Sequence, residues 1–162
     1  MKINLRYLPK MLMKKDKLKQ VKELMKSKRL YKKGIYYTRK NLSSFKSKKS
    51  SHVTNAINMY NVNKIGATQE LAKATKCSKK GLAKIINKGE GAYYSSGSRP
   101  NQTPQSWGIA RLASSITGKK AAAVDFDILE KNCKSNSKAL TLAKKAKKKY
   151  GNGTRKVKKV KI

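Results

Sequence analysis

The sequence predicts a mainly α-helical protein. A small helical domain of several short helices surrounds a loop rich in glycine, tyrosine and tryptophan, and extended basic arms flank it at both ends. Three observations support this fold class. Apolar residues recur at helical spacing in several short segments. The 162 residues include 42 Lys and Arg against seven Asp and Glu, a formal net charge of +35. Turn-forming and aromatic residues are concentrated between Gly89 and Gly108.

The uneven distribution of charge predicts the domain organisation. Residues 1–50 carry 18 basic residues against two acidic ones, residues 138–162 carry 11 against none, and residues 51–137 carry 13 against five. We therefore expect a basic N-terminal helix and extended arm over 1–50. A small helical domain over 51–137 has its central loop at 89–108, and a basic C-terminal helix and tail cover 138–162. This excess of positive charge favours polyanionic partners: nucleic acid, an anionic membrane surface or acidic protein faces.

The N-terminal segment predicts a helix and then an arm. Pro9 suits the first turn of a helix that runs to about Ser27. Its thin apolar stripe consists of Met11, Leu18, Val21 and Met25. Because so thin a stripe buries little area, we expect the helix to lie on another protein, a membrane surface or nucleic acid. Membrane docking is less favoured, since no Trp or Phe flanks the stripe. Over residues 30–45 aromatic residues alternate with Lys and Arg, which favours an extended arm that inserts into a neighbouring molecule.

The segment from Thr68 to Asn87 has the spacing of a helix-turn-helix. Its small, turn and buried positions are filled by Ala72, Cys77, Ser78, Leu82 and Ile85. The basic side chains that would face outwards as candidate polyanion contacts are Lys79, Lys80 and Lys84. Lys76 stands at the left-handed turn position where Gly is preferred. No Asn, Gln or Arg accompanies the outward lysines, so the usual bidentate readers of base edges are missing. An ordinary helical domain gives the same spacing, and that alternative stays open.

The central loop holds the candidate anchor residues for a binding partner. These are Tyr93, Tyr94, Arg99 and Trp107, because rigid aromatic and Arg side chains among turn residues are typical of recognition loops. The alternative is a structural loop packed by its own aromatic residues. At the end of the loop, Thr103 and Pro104 predict a helix start, with Thr as N-cap and Pro in the first turn. Gly118 is expected to end that helix.

Two further helices are expected towards the C-terminus. The first covers about 120–132. The second begins at the N-cap Ser137, ends at Gly151, and supplies the remaining candidate polyanion contacts, Lys144, Lys145, Lys147 and Lys148. The final residues TRKVKKVKI form a basic, β-branched tail, which suits either an added strand or contact with a phosphate backbone.

The sequence contains no recognisable catalytic set, so we expect no enzyme, no cofactor, no metal site and no small-molecule substrate. The chain has a single histidine, His52, and no P-loop. Cys77 and Cys133 lie far apart and form no CxxC pair, which favours two buried, reduced thiols in a reducing compartment. The sequence has no apolar run long enough to span a membrane and no apolar signal core, so neither a membrane span nor secretion is expected.

The stretch GEGAYYSSGSRPNQTPQSWGIARLASSITG, with RYLPKMLMKKDKLKQ and YKKGIYYTRKNLSSFKSKKS before it, resembles a domain of uncharacterised function in large DNA viruses of algae and protists. The resemblance covers nearly the whole chain. It implies a virion protein made in the host cytoplasm or nucleus, most readily a minor capsid protein that joins other capsid proteins, major and minor, beneath the major capsid lattice. It brings no catalytic residues. Contact with the genome or with an inner membrane surface also fits.

Two functions follow as expectations. The first is a structural virion protein, whose arms connect neighbouring capsid proteins. The alternative is a nucleic-acid-binding protein that condenses or tethers the viral genome through the helix-turn-helix-like segment and both basic tails.

Overall fold

The structure, a computed structural model, describes residues 1–153 and 158–162 and is mainly α-helical, which confirms the predicted fold class. Its described elements are β1 (Lys2–Asn4), a 3-10 turn (Leu5–Tyr7), α1 (Lys14–Lys32), α2 (Ser51–Tyr60), α3 (Gln69–Thr75), α4 (Lys79–Ser95), α5 (Pro104–Ile116), α6 (Lys120–Val124), α7 (Phe126–Asn132), α8 (Lys138–Tyr150) and β2 (Lys159–Lys161).

The chain divides into two compact units whose boundaries differ from those predicted. Among the described residues, unit 1 contains 1–48, 90–107 and 158–162, and unit 2 contains 49–89 and 108–153. The N-terminal segment and the centre of the chain thus belong to one unit, because buried contacts join them. The C-terminal helix α8 is part of unit 2 and not a separate arm.

Helix α1 of unit 1 buries the opposite face to the one expected. Its buried residues are Asp16, Gln20, Leu24 and Ser27, three or four positions apart along one face. Of the predicted stripe, Leu18 and Met25 are 56% and 50% exposed, and Met11, which precedes the helix, is 75% exposed. Its fourth member, Val21, is half-buried and packs against the core of unit 1. The polar face is buried because it is hydrogen-bonded: Gln20 Nε2 donates to the Tyr7 carbonyl (3.0 Å) and Asp16 accepts from the Ser44 amide (2.8 Å). Helical spacing revealed a stripe, but tertiary hydrogen bonds decided which side is covered.

The segment after α1 folds back onto its own unit, which corrects the prediction of a free arm. Leu42 is buried, and the side chain of Asn101 holds the backbone beside it. Asn101 Oδ1 accepts from the Leu42 amide (2.6 Å), and its Nδ2 donates to the carbonyls of Leu42 (3.1 Å) and Phe45 (2.6 Å). One amide side chain therefore replaces the strand partner that this extended segment lacks.

The C-terminal tail adds a strand to the N-terminus of the same chain. β2 pairs antiparallel with β1, with Ile3 opposite Val160 and Lys2 opposite Lys161. Of the predicted tail, residues 154–157 lie outside the described residues.

Unit 2 has a helical core. Residues that are essentially inaccessible to solvent come from six helices, α3 to α8: Leu71, Leu82, Ile85, Leu112, Ile116, Ala122, Leu129, Ala139 and Ala143. The predicted caps of α5 and α8 are confirmed, since Thr103 Oγ1 accepts from the Ser106 amide (3.0 Å) and Ser137 Oγ from the Leu140 amide (3.3 Å). The single helix expected over 120–132 is two helices, α6 and α7, with Asp125 between them.

Two helices separated by a short turn, α3 and α4, lie where the helix-turn-helix was predicted at 68–87. Lys76 has φ 56° and ψ 33°, the left-handed conformation expected at this position. The second helix is longer than predicted and continues to Ser95, so the predicted loop at 89–108 shrinks to residues 96–103. Gly89 is helical because α4 and α5 approach closely there: a Cβ on Gly89 would lie 2.7 Å from the Gly108 Cα.

The cysteines form a disulfide, which contradicts the prediction of two reduced thiols. Cys77 and Cys133 are joined by an S–S bond of 2.00 Å across a sequence separation of 56. The turn after α3 and the end of α7 form a short antiparallel bridge there. Ser78 donates its amide to the Asn132 carbonyl (2.8 Å) and Lys134 to the Lys76 carbonyl (2.9 Å). This backbone pairing places the Cα atoms 3.9 Å apart and cannot be inferred from cysteine spacing.

Two of the three glycines of α4, Gly89 and Gly91, give a matched test of this packing. We expect Gly89→Ala to lower the free energy of unfolding by roughly 1–3 kcal/mol, because the added methyl group overpacks the contact with Gly108. Gly91→Ala is the control, since its Cβ would meet only the Tyr31 hydroxyl at 4.0 Å. That change should raise stability slightly through helix propensity. Urea unfolding followed by circular dichroism measures both. Equal effects of the two substitutions on the free energy of unfolding would contradict the close approach of α4 and α5 at Gly89.

Candidate polyanion-binding surfaces

Four of the seven acidic side chains accept hydrogen bonds from other parts of the fold. Glu23 accepts from the Tyr37 hydroxyl (2.9 Å) and the Lys40 amide (2.8 Å). Glu70 accepts from the Asn63 amide (3.1 Å), and Asp16 accepts from Ser44. These carboxylates therefore fix loops onto helices and neutralise little of the surface charge.

The fourth such carboxylate, Asp125, lies in unit 2 with a fully buried side chain. Arg111 binds it with two hydrogen bonds, from Nε to Oδ2 (3.0 Å) and from Nη2 to Oδ1 (2.8 Å). Ser115 Oγ donates to Oδ2 (2.7 Å), and Lys88 Nζ lies 3.4 Å from Oδ1. With its lone pairs satisfied in this way, the buried charge is a structural link between α4, α5 and the α6–α7 junction.

The described lysines, by contrast, form no ion pair, with the exception of Lys88. Over residues 1–153 and 158–162, the ion pairs are those of Asp125 with Lys88 and Arg111. The candidate contacts on α4 and α8 are all exposed: Lys79, Lys80, Lys84, Lys144, Lys145, Lys147 and Lys148. On α4, Lys80 and Lys84 are one turn apart and share a face. On α8, Lys147 also lies over the Phe126 ring, with Nζ 4.3 Å from the centroid.

The four predicted anchor residues do not form a single exposed site. Tyr93 is completely buried, Tyr94 and Trp107 are half-buried, and Arg99 is exposed. Trp107 packs edge-on to Tyr7, with ring centroids 6.3 Å apart. Tyr93 and Trp107 therefore belong to the interior of unit 1, and the alternative of a segment packed by its own aromatic residues describes them better.

The residue that organises this region is Arg39, which the sequence analysis did not single out. Arg39 is 6% exposed, and its guanidinium stacks on Tyr93 with Cζ 3.7 Å from the ring centroid. Its Nη1 donates to Ser27 Oγ (2.9 Å) and the Tyr93 carbonyl (2.7 Å), and its Nη2 donates to Ser98 Oγ (2.7 Å). The Tyr93 hydroxyl accepts from the Arg39 amide (2.9 Å). Burial lowers the pKa of this guanidinium, and no carboxylate among the described residues pairs with it.

Three tyrosines from separate segments form a second aromatic group in unit 1. The Tyr31 and Tyr94 rings are nearly parallel, with an interplanar angle of 9° and centroids 6.1 Å apart. The Tyr36 ring contacts both, at 6.0 Å from Tyr31 and 5.2 Å from Tyr94. Burial raises the pKa of the Tyr94 hydroxyl. We call Tyr31, Tyr36 and Tyr94 the tyrosine cluster.

A shallow cavity of about 220 Å³ in unit 1 is basic. Three lysines from three elements line it, Lys2 of β1, Lys28 of α1 and Lys159 of β2. Its other polar lining residues are Asn4, Ser95 and Ser96, and no carboxylate lines it. This combination of ammonium, hydroxyl and amide groups suits a phosphate oxygen.

The described residues offer no group of three or more His, Cys, Asp or Glu that could hold a metal ion. Across residues 1–153 and 158–162, no helix is long and apolar enough to cross a membrane. The chain matches a family of unknown function (DUF5824) over residues 5–134, which is most of its length. It belongs to that family. No curated protein and no solved structure matches the chain. Because the function of this family is unknown, membership assigns no activity to the chain.

Replacement of Arg39 tests its role in unit 1. We expect Arg39→Ala to lower the free energy of unfolding by about 2–4 kcal/mol, because it leaves buried oxygen atoms of Tyr93, Ser27 and Ser98 without a donor. Arg39→Lys should recover little of the lost stability, since an ammonium cannot reproduce the planar arrangement of guanidinium donors. Lys40→Ala is the control: the Lys40 side chain is exposed and only its amide is bound by Glu23. Chemical denaturation measures all three. If Arg39→Ala were as mild as Lys40→Ala, Arg39 would not organise the unit.

Proposed function

We propose that this protein is a non-catalytic binder of polyanions and that its partner is nucleic acid, held through the phosphate backbone. One observation carries the proposal: four of the seven carboxylates accept hydrogen bonds from the fold, while the lysines of the described residues are exposed, apart from the half-buried Lys17, and Lys88 alone among them forms an ion pair. A compact chain with net charge +35 repels itself, and phosphate groups relieve that repulsion.

The distribution of lysines supports backbone contact over base reading. On α4, the second helix of the helix-turn-helix, the exposed Lys79, Lys80 and Lys84 lie within the first two turns. Lysine binds phosphate as a point charge and carries no preference for a base edge. The basic cavity of unit 1 supports the same chemistry. We therefore propose binding with little sequence preference.

The dependence of affinity on salt tests this proposal. With a fluorescein-labelled mixed-sequence duplex, log affinity should fall linearly with log salt, with a slope of about −0.9 per phosphate neutralised. Replacing Lys79, Lys80 and Lys84 together by Gln should make that slope shallower by up to about 2.7 if each contacts one phosphate. The control replaces Lys10, Lys15 and Lys22, which are also exposed, and removes the same charge from another unit.

The two triple variants also separate local from bulk effects. A shallower salt slope in the α4 variant alone supports phosphate contacts by the α4 lysines. Equal changes in both variants would show that total charge alone governs binding. A salt-independent affinity would refute binding through phosphates.

A second candidate is the structural virion protein that the viral resemblance implies, which joins capsid proteins. The exposed Leu18 and Met25 of helix α1, with Met11 just before it, favour it, since an uncovered apolar face is typical of a protein interface. Apolar contacts strengthen in high concentrations of kosmotropic salts, whereas phosphate contacts weaken as salt rises. Retention in particle shells under such conditions would favour this candidate over nucleic-acid binding.

A further inference from the structure

The tyrosine cluster results from a sharp turn at the end of α1. Gly34 has φ 76°, a left-handed conformation, and ends the helix with two backbone hydrogen bonds. Its amide donates to the Tyr31 carbonyl and the Ile35 amide to the Leu30 carbonyl, each at 2.9 Å. This is the helix-ending pattern that glycine favours. The turn reverses the chain and places the Tyr36 ring against Tyr31, one turn back on the helix.

The cluster is solvent-exposed on one side and rigidly supported on the other. Tyr36 is 70% exposed and Ile35 50% exposed, whereas Tyr31 and Tyr94 are half-buried. Behind them, Tyr94 contacts the fully buried Tyr93 edge-on, with centroids 5.2 Å apart. The cluster therefore rests on the same Tyr93 side chain that Arg39 holds in place. If the cluster served only to close the turn, burial of Tyr36 would be expected.

The surroundings of the cluster are strongly basic. Residues 26–40 contain seven Lys and Arg and no acid, and all of the seven except Arg39 are exposed. Lys26 Nζ lies 4.4 Å from the centroid of the neighbouring Tyr37 ring. Two carboxylates lie nearby: Glu23 is bound to Tyr37 and the Lys40 amide, and Glu90 stands one turn before Tyr94 on α4. The charge that faces a ligand here is therefore mainly positive.

We propose that the tyrosine cluster is a stacking site for unpaired bases of single-stranded nucleic acid, with Tyr36 as the exposed ring. This inference rests on the proposed function and gives the partner a chemical class. Aromatic rings in a basic surface bind single strands because bases stack on the rings while lysines hold the phosphates. A duplex presents mainly base edges and backbone, so an exposed ring gains little from it. Both single-stranded DNA and RNA have the required chemistry.

Tyr36 is the residue to replace, because it is exposed and its loss should not unfold the unit. The probes are fluorescein-labelled oligothymidylate and oligouridylate of about 20 nucleotides, longer than a typical single-strand site, together with a DNA duplex of equal length. We expect Tyr36→Ala to weaken binding of the single strands by about five- to a hundredfold, the range given by one stacked base. Duplex affinity should be unchanged. Tyr36→Phe keeps the ring and should bind as the wild type does.

Lys33→Ala is the matched control for charge, since Lys33 is exposed on the same turn. Lys33→Ala should weaken the binding of single strands and of duplex alike, because it removes a phosphate contact. A thermal melt of each variant confirms that unit 1 remains folded.

The possible outcomes distinguish this inference from the proposed function. Loss of single-strand affinity in Tyr36→Ala, with retention in Tyr36→Phe, supports the stacking site. If the wild type binds both duplex and single strands, and Tyr36→Ala binds both with unchanged affinity, the stacking site is refuted while polyanion binding stands. If the wild type binds neither at low salt, both fail, and the exposed tyrosine is better explained by contact with a protein. A preference for one of the two single strands identifies whether DNA or RNA is the better ligand.

Discussion

The shortage of carboxylates is the constraint on which this structure depends. Seven acids serve a chain with 42 basic residues, and four of the seven accept hydrogen bonds inside the fold. Asp125 joins three helical segments, and Glu23 and Asp16 hold the segment after α1 against that helix. Because these acids stabilise the fold from within, the positive charge of the surface stays available to a partner.

Unit 1 contains a buried cation, the Arg39 guanidinium, with which no described carboxylate forms an ion pair. Arg39 is held by a tyrosine face, two serine hydroxyls and a backbone carbonyl. These neutral acceptors take three hydrogen bonds from the guanidinium, while the stacked ring replaces part of the lost hydration. The same Tyr93 supports the exposed tyrosine cluster, so the packing of the interior determines the orientation of the surface that we propose binds bases.

The features that were predicted correctly are those that depend on a few neighbouring residues in the sequence. The N-caps Thr103 and Ser137, the left-handed Lys76 and the helix ends at Gly118 and Gly151 depend on a few neighbouring residues, and all are present. Features that depend on distant contacts were not predicted: the buried Arg39, the disulfide and the helical conformation of Gly89. In α1 a helix was predicted, but it runs from Lys14 to Lys32 and not from Pro9 to about Ser27. Its covered face was also predicted wrongly, since hydrogen bonds of Gln20 and Asp16 outweigh the thin apolar stripe.

The central claim is that the folded chain retains a positive charge that it does not neutralise. The most direct measurement is the melting temperature of the protein between roughly 0.01 and 1 M sodium chloride, over which the Debye length falls from about 30 to about 3 Å. Compaction brings the lysines closer together than they are in the unfolded chain, so screening should stabilise the folded state. We predict a melting temperature that rises steadily with salt. A melting temperature that is constant, or that falls as salt screens the internal ion pairs, would contradict the claim.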